Sequence, residues 1–180
     1  MKYEMSYDLD ELIKNNYHCS IKRDYISAYS IYCFPICHSE NLLLIEVVED
    51  FLPDGYKIIR KDDITEIKHS ESDEYAEYIF EQEGIIRGEQ RPDIKNLNSI
   101  KEVLKQFVDS KENIIVECET DDNSFLIGKV IECGENTFLF LDFDGVGKWS
   151  KSPIEVLYSK VTCISLRGRY LKIMSKYLTI

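Results

Sequence analysis

Apolar positions along the chain fall in short runs, rich in β-branched and aromatic residues and each closed by turn residues. That is the pattern of short antiparallel strands. The first half predicts strands near residues 24–34, 41–48, 55–60 and 63–69. The second half predicts strands near 113–119, 125–133, 137–143, 154–158 and 161–166. Pro53-Asp54-Gly55 reads as a turn, because Pro presets φ and Gly accepts a positive one. Asp121-Asp122-Asn123 and Gly134-Glu135-Asn136 read as hairpin turns of the second half. Helical spacing is confined to a few places. A short helix fits residues 9–15 and others fit 73–82 and 170–178. Ser99-x-x-Glu102 is a capping box, with Ile100, Val103, Leu104, Phe107 and Val108 at helical spacing behind it.

The runs repeat. Asn41 opens Leu42-Leu43-Leu44-Ile45-Glu46-Val47, with Ile64-Thr65-Glu66-Ile67 following. Asn136 opens Thr137-Phe138-Leu139-Phe140-Leu141-Asp142, with Val161-Thr162-Cys163-Ile164 following. The spacing from Asn to the later run is 23 residues in one copy and 25 in the other. Two similar units fit this period and the total of 180 residues. The loop from Gly84 through Gly88 and Pro92 to Asn98 separates them. The expected domains are an acidic N-terminal unit, 1–97, and a C-terminal unit, 98–180, with leading and terminal helices. Four or five short strands per unit suggest a small barrel, because closure removes exposed sheet edges. The expected fold class is therefore mainly β with a few short helices, in two tandem small SH3-like or Sm-like barrels.

Composition narrows the class. The chain is 44% hydrophobic and 31% charged, as globular chains are. Its start, Met1-Lys2-Tyr3-Glu4-Met5, lacks the apolar core of a signal peptide. The longest apolar run, Leu42 to Val48, is interrupted by Glu46 and falls far short of a membrane span. A cytoplasmic protein without a membrane partner is the expectation. Six cysteines (Cys19, Cys33, Cys37, Cys118, Cys133 and Cys163) are then expected as free thiols in a reducing compartment.

Charge changes the picture further. The net charge of −11 divides into −10 for residues 1–97 and −1 for 98–180. Coating of double-stranded DNA needs clustered cations, so it is excluded for the first unit. Beyond Glu155 no acid remains, whereas Lys160, Arg167, Arg169, Lys172 and Lys176 do. The chain is electrically polarised along its sequence.

Candidate chemistry is sparse. Cys33-x-x-x-Cys37-His38, with His18-Cys19 upstream, is the one metal-like cluster, and the same residues contain a conceivable Cys–His pair. It lacks two matched knuckles, and the second unit does not repeat it. Buried or turn thiols are the plainer reading, and no cofactor is expected. His69 reads as a surface residue. Asp142-Phe143-Asp144-Gly145 lacks the remainder of a calcium loop, so its carboxylates read as turn formers, as do Asp62, Asp63 and Glu66 near strand ends. Gly145-Val146-Gly147-Lys148 lacks the Ser/Thr and the helix of a phosphate loop. It reads as an inter-strand loop that leaves Lys148 and Trp149 for packing or for a partner. Leu166-Arg167-Gly168 resembles the Arg-Gly step of Sm-type RNA-binding barrels, ahead of Arg169, Tyr170 and Lys172. That resemblance implies bases stacked on Tyr or Arg.

Two longer stretches resemble a family of uncharacterised bacterial proteins with tandem SH3-like or Sm-like barrel repeats. One runs from Gly55-Tyr56-Lys57 through Asp62-Asp63-Ile64-Thr65-Glu66-Ile67. The other holds Ile127-Gly128-Lys129-Val130, Trp149, Tyr158 to Thr162, and Arg169-Tyr170. The resemblance implies a strand introduced by Asp-Ile-Thr at the end of each repeat, and it carries no catalytic residue. Ser159-Lys160 stands where the second copy should have Asp-Asp. The leading functional expectation is a non-enzymatic intracellular interaction protein. Its acidic first unit suits a basic protein partner, as in small acidic proteins that neutralise toxic nucleases. The alternatives are an RNA-binding Sm-like module in residues 98–180, using Trp149, Lys148, Arg167, Arg169, Tyr170 and Lys172, and a metal-dependent enzyme at Cys33, Cys37 and His38.

Overall fold

The computed structural model describes residues 8–120 and 124–179. The start Met1–Met5 and the turn Asp121-Asp122-Asn123 lie outside the described residues. The chain is mainly β, with four short α-helices among the described residues. It divides into two compact units, Met1–Arg91 and Pro92–Ile180. The division falls in the Gly- and Pro-marked loop, a few residues before position 97.

In the first unit, helix α1 (Leu9–Asn15) precedes strands β1 (Cys19–Arg23), β2 (Ser27–His38), β3 (Leu42–Glu49), β4 (Leu52–Arg60) and β5 (Glu66–Lys68). Helix α2 (Glu71–Gln82) follows. All pairings are antiparallel, in the order β5-β1-β2-β3-β4. In the second unit, helix α3 (Ile100–Lys105) precedes β6 (Ile114–Cys118), β7 (Ser124–Cys133), β8 (Thr137–Asp142), β9 (Ile154–Leu157) and β10 (Cys163–Leu166). Helix α4 (Arg169–Met174) ends it. The order β10-β6-β7-β8-β9 is the same, with the fifth strand beside the first. Among the described residues, neither unit pairs its fourth strand with its own fifth. Each five-stranded sheet is therefore open at that seam.

The repeat is visible bond by bond. The Asn41 carbonyl accepts the Lys61 N–H at 2.9 Å, and the Asn136 carbonyl accepts the Tyr158 N–H at 3.2 Å. A single 3₁₀ turn then leads into Ile64 in one unit and Val161 in the other, both buried. The next residue clasps the first strand in each case. Thr65 N–H donates to Lys22 O, and Thr162 N–H donates to Glu117 O, each at 2.9 Å. The Thr65 hydroxyl donates to Asp24 Oδ2 at 2.8 Å and accepts the Asp24 N–H. The Thr162 hydroxyl makes the same reciprocal pair with Glu119.

Strand β3 is buried along Leu42-Leu43-Leu44-Ile45, on both faces of the pleat. Two covers are needed, and α2 supplies one through the cluster Phe34, Val48, Ala76 and Phe80. In the second unit, α4 does the same through Leu171, over Ile115, Ile127 and Phe143. Burying each large apolar side chain stabilises by about 1.5–3 kcal/mol.

The β3–β4 hairpin differs from its expected form. Val48 pairs with Pro53 and Glu49 with Leu52, so the loop is Asp50-Phe51. Both loop residues have positive φ, 49° and 62°. That is the twist a two-residue hairpin demands, normally met by Asn-Gly or Asp-Gly. Pro53-Asp54-Gly55 lies inside β4 instead, and the glycine there (φ 80°) sits opposite the irregular register between Glu46 and Val48.

Candidate functional site

The most developed site lies wholly in the first unit. A pocket of about 400 Å³ is walled by Tyr32 of β2, Phe51 of the hairpin loop, and Tyr75 and Phe80 of α2. His18 forms part of its lining, and Asp50, Ser72 and Asp73 add polar groups. A second hollow of about 440 Å³ shares Tyr32, Val48 and Asp50 with it and extends to Glu49 and Asp54. Tyr32, Phe51 and Tyr75 are 55%, 45% and 65% exposed, so the walls open to solvent. Glu49 and Asp50 are exposed at the rim.

Local rules position each wall. Ser70 caps α2, and Asp73 returns the capping bond, accepting the Ser70 N–H at 2.8 Å and its hydroxyl at 2.6 Å. The other Asp73 oxygen faces His18 Nδ1 at 2.9 Å. Both side chains are 5% exposed. A carboxylate only accepts, so Nδ1 carries the imidazole proton and Nε2 keeps its lone pair. That Nε2 is buried and has no hydrogen-bond partner. Burial holds the His18 imidazole below its ordinary value, opposed by Asp73 and then Glu77, while the Arg87 charge adds to the lowering. The neutral ring is thus the resting form at pH 7.

The surroundings fix the ring. Glu77 accepts the His18 N–H, and the His18 carbonyl lies 2.7 Å from His69 Nδ1. His69, expected at the surface, is buried and stacks on Tyr17 at 4.8 Å. Phe34 meets the His18 ring edge-on at 5.0 Å, and Tyr32 lies parallel to it at 6.1 Å. Behind Phe34 sits Arg87, its guanidinium carbon 3.3 Å from the ring centroid. Its charge is met by Glu46 at 3.8 Å, and Glu46 also accepts the Gly88 N–H.

The Cys33, Cys37 and His38 cluster is not assembled. Cys33 pairs across the sheet with Cys19, sulfur to sulfur at 3.9 Å. Burial pushes the Cys33 thiol up, and Cys19 adds to the effect, which makes it a poor nucleophile. Cys37 sits beyond a register shift in β2. His38 turns away to Asp10 at 3.0 Å and to the Ser39 carbonyl at 3.1 Å. Among the described residues, no three His, Cys, Asp or Glu side chains form a metal-binding group. All six cysteines are free thiols.

The second-unit candidates are spread out. Arg167 holds a left-handed backbone (φ 57°) and reaches Glu112 with Nε at 2.7 Å and Nη2 at 3.0 Å. That bidentate pair holds one edge of the guanidinium, whereas stacking on a base would use its face. Trp149 is half-buried, edge-on to Phe143 at 5.2 Å with Lys129 above it at 5.5 Å. Lys148 is exposed beside it, and its N–H donates to Asp144 Oδ1, confirming Asp144 as a turn former. Arg169, Tyr170 and Lys172 lie exposed on α4, with Tyr170 edge-on to Phe125 at 6.3 Å.

His18 and Asp73 do not stand out in the sequence as a pair, since 55 residues separate them. The available signal is the Ser70-x-x-Asp73 capping pattern, which places Asp73 on the first turn of α2. Among the described residues, no helix is long and apolar enough to cross a membrane. Compared with family models, with curated proteins and with solved structures, the chain finds no match.

Proposed function

We propose that the chain is a non-enzymatic intracellular interaction protein whose first unit docks a basic protein segment. The observation that carries this reading is the pair of adjoining hollows, in which exposed Tyr32, Phe51 and Tyr75 stand beside Glu49, Asp50 and Asp54. Exposed aromatics next to carboxylates are the surface a Lys- or Arg-bearing chain needs: rings for the aliphatic stems and cations, charge for steering. The net charge of −10 on residues 1–97 supports the same partner. A second support is Phe51. An aromatic residue at φ 62° is strained by roughly 1–3 kcal/mol, and such strain collects at functional positions. Each unit is read as a small SH3-like or Sm-like barrel of the tandem-repeat family noted above, a class that binds through loops and exposed aromatics. The shared strand order and the repeated Asn and Thr bonds support the repeat within that reading.

The test is a calorimetric titration of the full chain with two capped octapeptides, one alternating Gly with Lys or Arg, the other alternating Gly with Glu. At about 0.15 M salt, the cationic peptide binds and the anionic one does not. Neutralising the rim with Glu49→Gln and Asp50→Asn weakens that binding. Equal or absent binding of the two peptides overturns the proposal.

A second reading, RNA binding by the second unit, is favoured by exposed Tyr170 and Phe125 beside Arg169 and Lys172. Single-stranded oligouridine at two salt concentrations tests it. Affinity that falls steeply with salt and is lost in Tyr170→Ala supports it.

A further inference from the structure

The polar side chains in the deep part of the 400 Å³ pocket are already committed to one another. Asp73 Oδ1 accepts from His18 Nδ1, and Oδ2 accepts both the Ser70 N–H and the Ser70 hydroxyl. Nearer the surface, the Ser72 hydroxyl is paired with that of Ser70 at 2.9 Å. Val48, Ala76 and Phe80 are the other buried side chains of the lining beside His18 and Asp73. An N–H donor brought to this floor therefore meets apolar surface and no unengaged side-chain oxygen.

Negative charge is present all the same. Asp50 and Asp73 line the pocket, and neither Lys nor Arg does. His18 is neutral and does not offset Asp73, while Arg87 behind Phe34 is balanced by Glu46.

The walls are aromatic and held in place by other rings. Tyr32 lies parallel to His18 at 6.1 Å, Phe51 meets Phe80 at 6.3 Å and 59°, and Tyr75 stacks on Tyr78 at 6.1 Å. Exposed rings supported in this way lose little freedom when a ligand arrives. Aromatic walls, two carboxylates and an apolar floor together suit a cation that carries no N–H. A trimethylammonium group buries methyl surface against Val48, Ala76 and Phe80 and offers a diffuse charge to the rings and to Asp50. A primary ammonium entering as far gives up the water on its three N–H donors without replacement, so it stays at the rim.

We propose that this pocket binds a trimethylammonium group. Such a site goes beyond docking of a basic segment, which needs only the rim carboxylates. The group arrives on a free cation such as choline or on a trimethylated lysine side chain, and both present the same chemistry to the walls.

The experiment follows amide shifts of the full chain with three matched probes: choline, ethanolamine with its primary ammonium, and the neutral tert-butyl analogue of choline, in which carbon replaces the charged nitrogen. Choline binds about tenfold more tightly than either of the others, the scale of one cation–π site. Its saturable shifts lie at Phe51, Tyr75 and Ala76. Phe51→Ala and Tyr75→Ala, both at exposed positions, lose most of that preference, and Phe51→Tyr retains it. A second pair of titrations uses the capped Gly-Lys octapeptide with and without one trimethyllysine. A gain from trimethylation supports the proposal and identifies a side-chain source; choline binding without that gain supports it and identifies a free cation. The proposal is overturned if neither trimethylammonium probe exceeds its primary-ammonium counterpart, if the neutral analogue binds as well as choline, or if the shifts fall outside this pocket. Basic docking is then judged separately, by the cationic and anionic octapeptides.

Discussion

His18 donates its Nδ1–H to Asp73 across 2.9 Å of the first unit's interior, and so leaves its other nitrogen as a buried, unpartnered acceptor. Asp73 meanwhile caps α2 through Ser70. One carboxylate therefore fixes both the helix start and the tautomer at the pocket.

That double duty makes Asp73 costly to replace. Asp73→Ala removes the cap and orphans the Nδ1–H as well. Loss of a cap costs about 1 kcal/mol and an unsatisfied buried donor about 1–3 kcal/mol. Chemical denaturation of Asp73→Ala is expected to show a loss of about 2–4 kcal/mol by their sum. Ser70→Ala, which removes the cap hydroxyl alone, loses less.

The His18 environment sets a pH dependence. In the folded chain its pKa lies below its ordinary value, chiefly through burial. The free imidazole titrates near about 6.5. Between those two values the unfolded chain takes up a proton that the folded chain refuses. The stabilisation is complete above the unfolded value and declines as pH falls through the window toward the folded one. Urea midpoints measured from neutral pH downward should fall in the wild type, and His18→Gln should flatten that slope. Parallel slopes in both proteins would contradict it.

The Asp50-Phe51 loop sets stability against binding. Phe51→Gly removes a positive-φ penalty at 62° and forfeits contact with Phe80 at 6.3 Å. Strain relief of about 1 kcal/mol outweighs the loss at a half-exposed ring. The variant melts no lower than the parent, yet binds cationic peptides more weakly.

Gly128 tests the second unit. A Cβ there would run into the backbone at Leu141 and Asp142 of the neighbouring strand. Gly128→Ala forces β7 and β8 apart, an overpacking cost of about 1–3 kcal/mol. Thermal melting should report it, whereas Gly145→Ala, with open space around it, is expected to be nearly silent.

Much of the fold is legible before the structure. Leu42 to Ile45 and Thr137 to Leu141 are apolar enough to read as strands, and Asn41 and Asn136 mark equivalent places in the two units. Strand β1 is not legible: Arg23 puts a charge at a buried position of its alternation, and a five-residue strand gives periodicity little to work with. The hairpin loop is misread because Asp50-Phe51 lacks the glycine its backbone favours, whereas Pro53-Asp54-Gly55 displays turn chemistry inside a strand. The site is the least legible part. Charge partition points to the acidic unit, but His18, Phe51 and Asp73 converge only through tertiary packing. Arg167 shows the converse. A recognisable local step is present, and the distant Glu112 that holds one edge of its guanidinium is not visible from it.

The central claim is that the acidic, aromatic face of the first unit is where a basic segment docks. Amide chemical-shift mapping of the full chain during titration with the Gly-Arg octapeptide tests it most directly. Saturable shifts grouped at Tyr32, Glu49, Asp50, Phe51 and Tyr75 are expected, with residues of α4 unmoved. Shifts centred on Tyr170 and Lys172, or scattered over the surface without saturating, would contradict it.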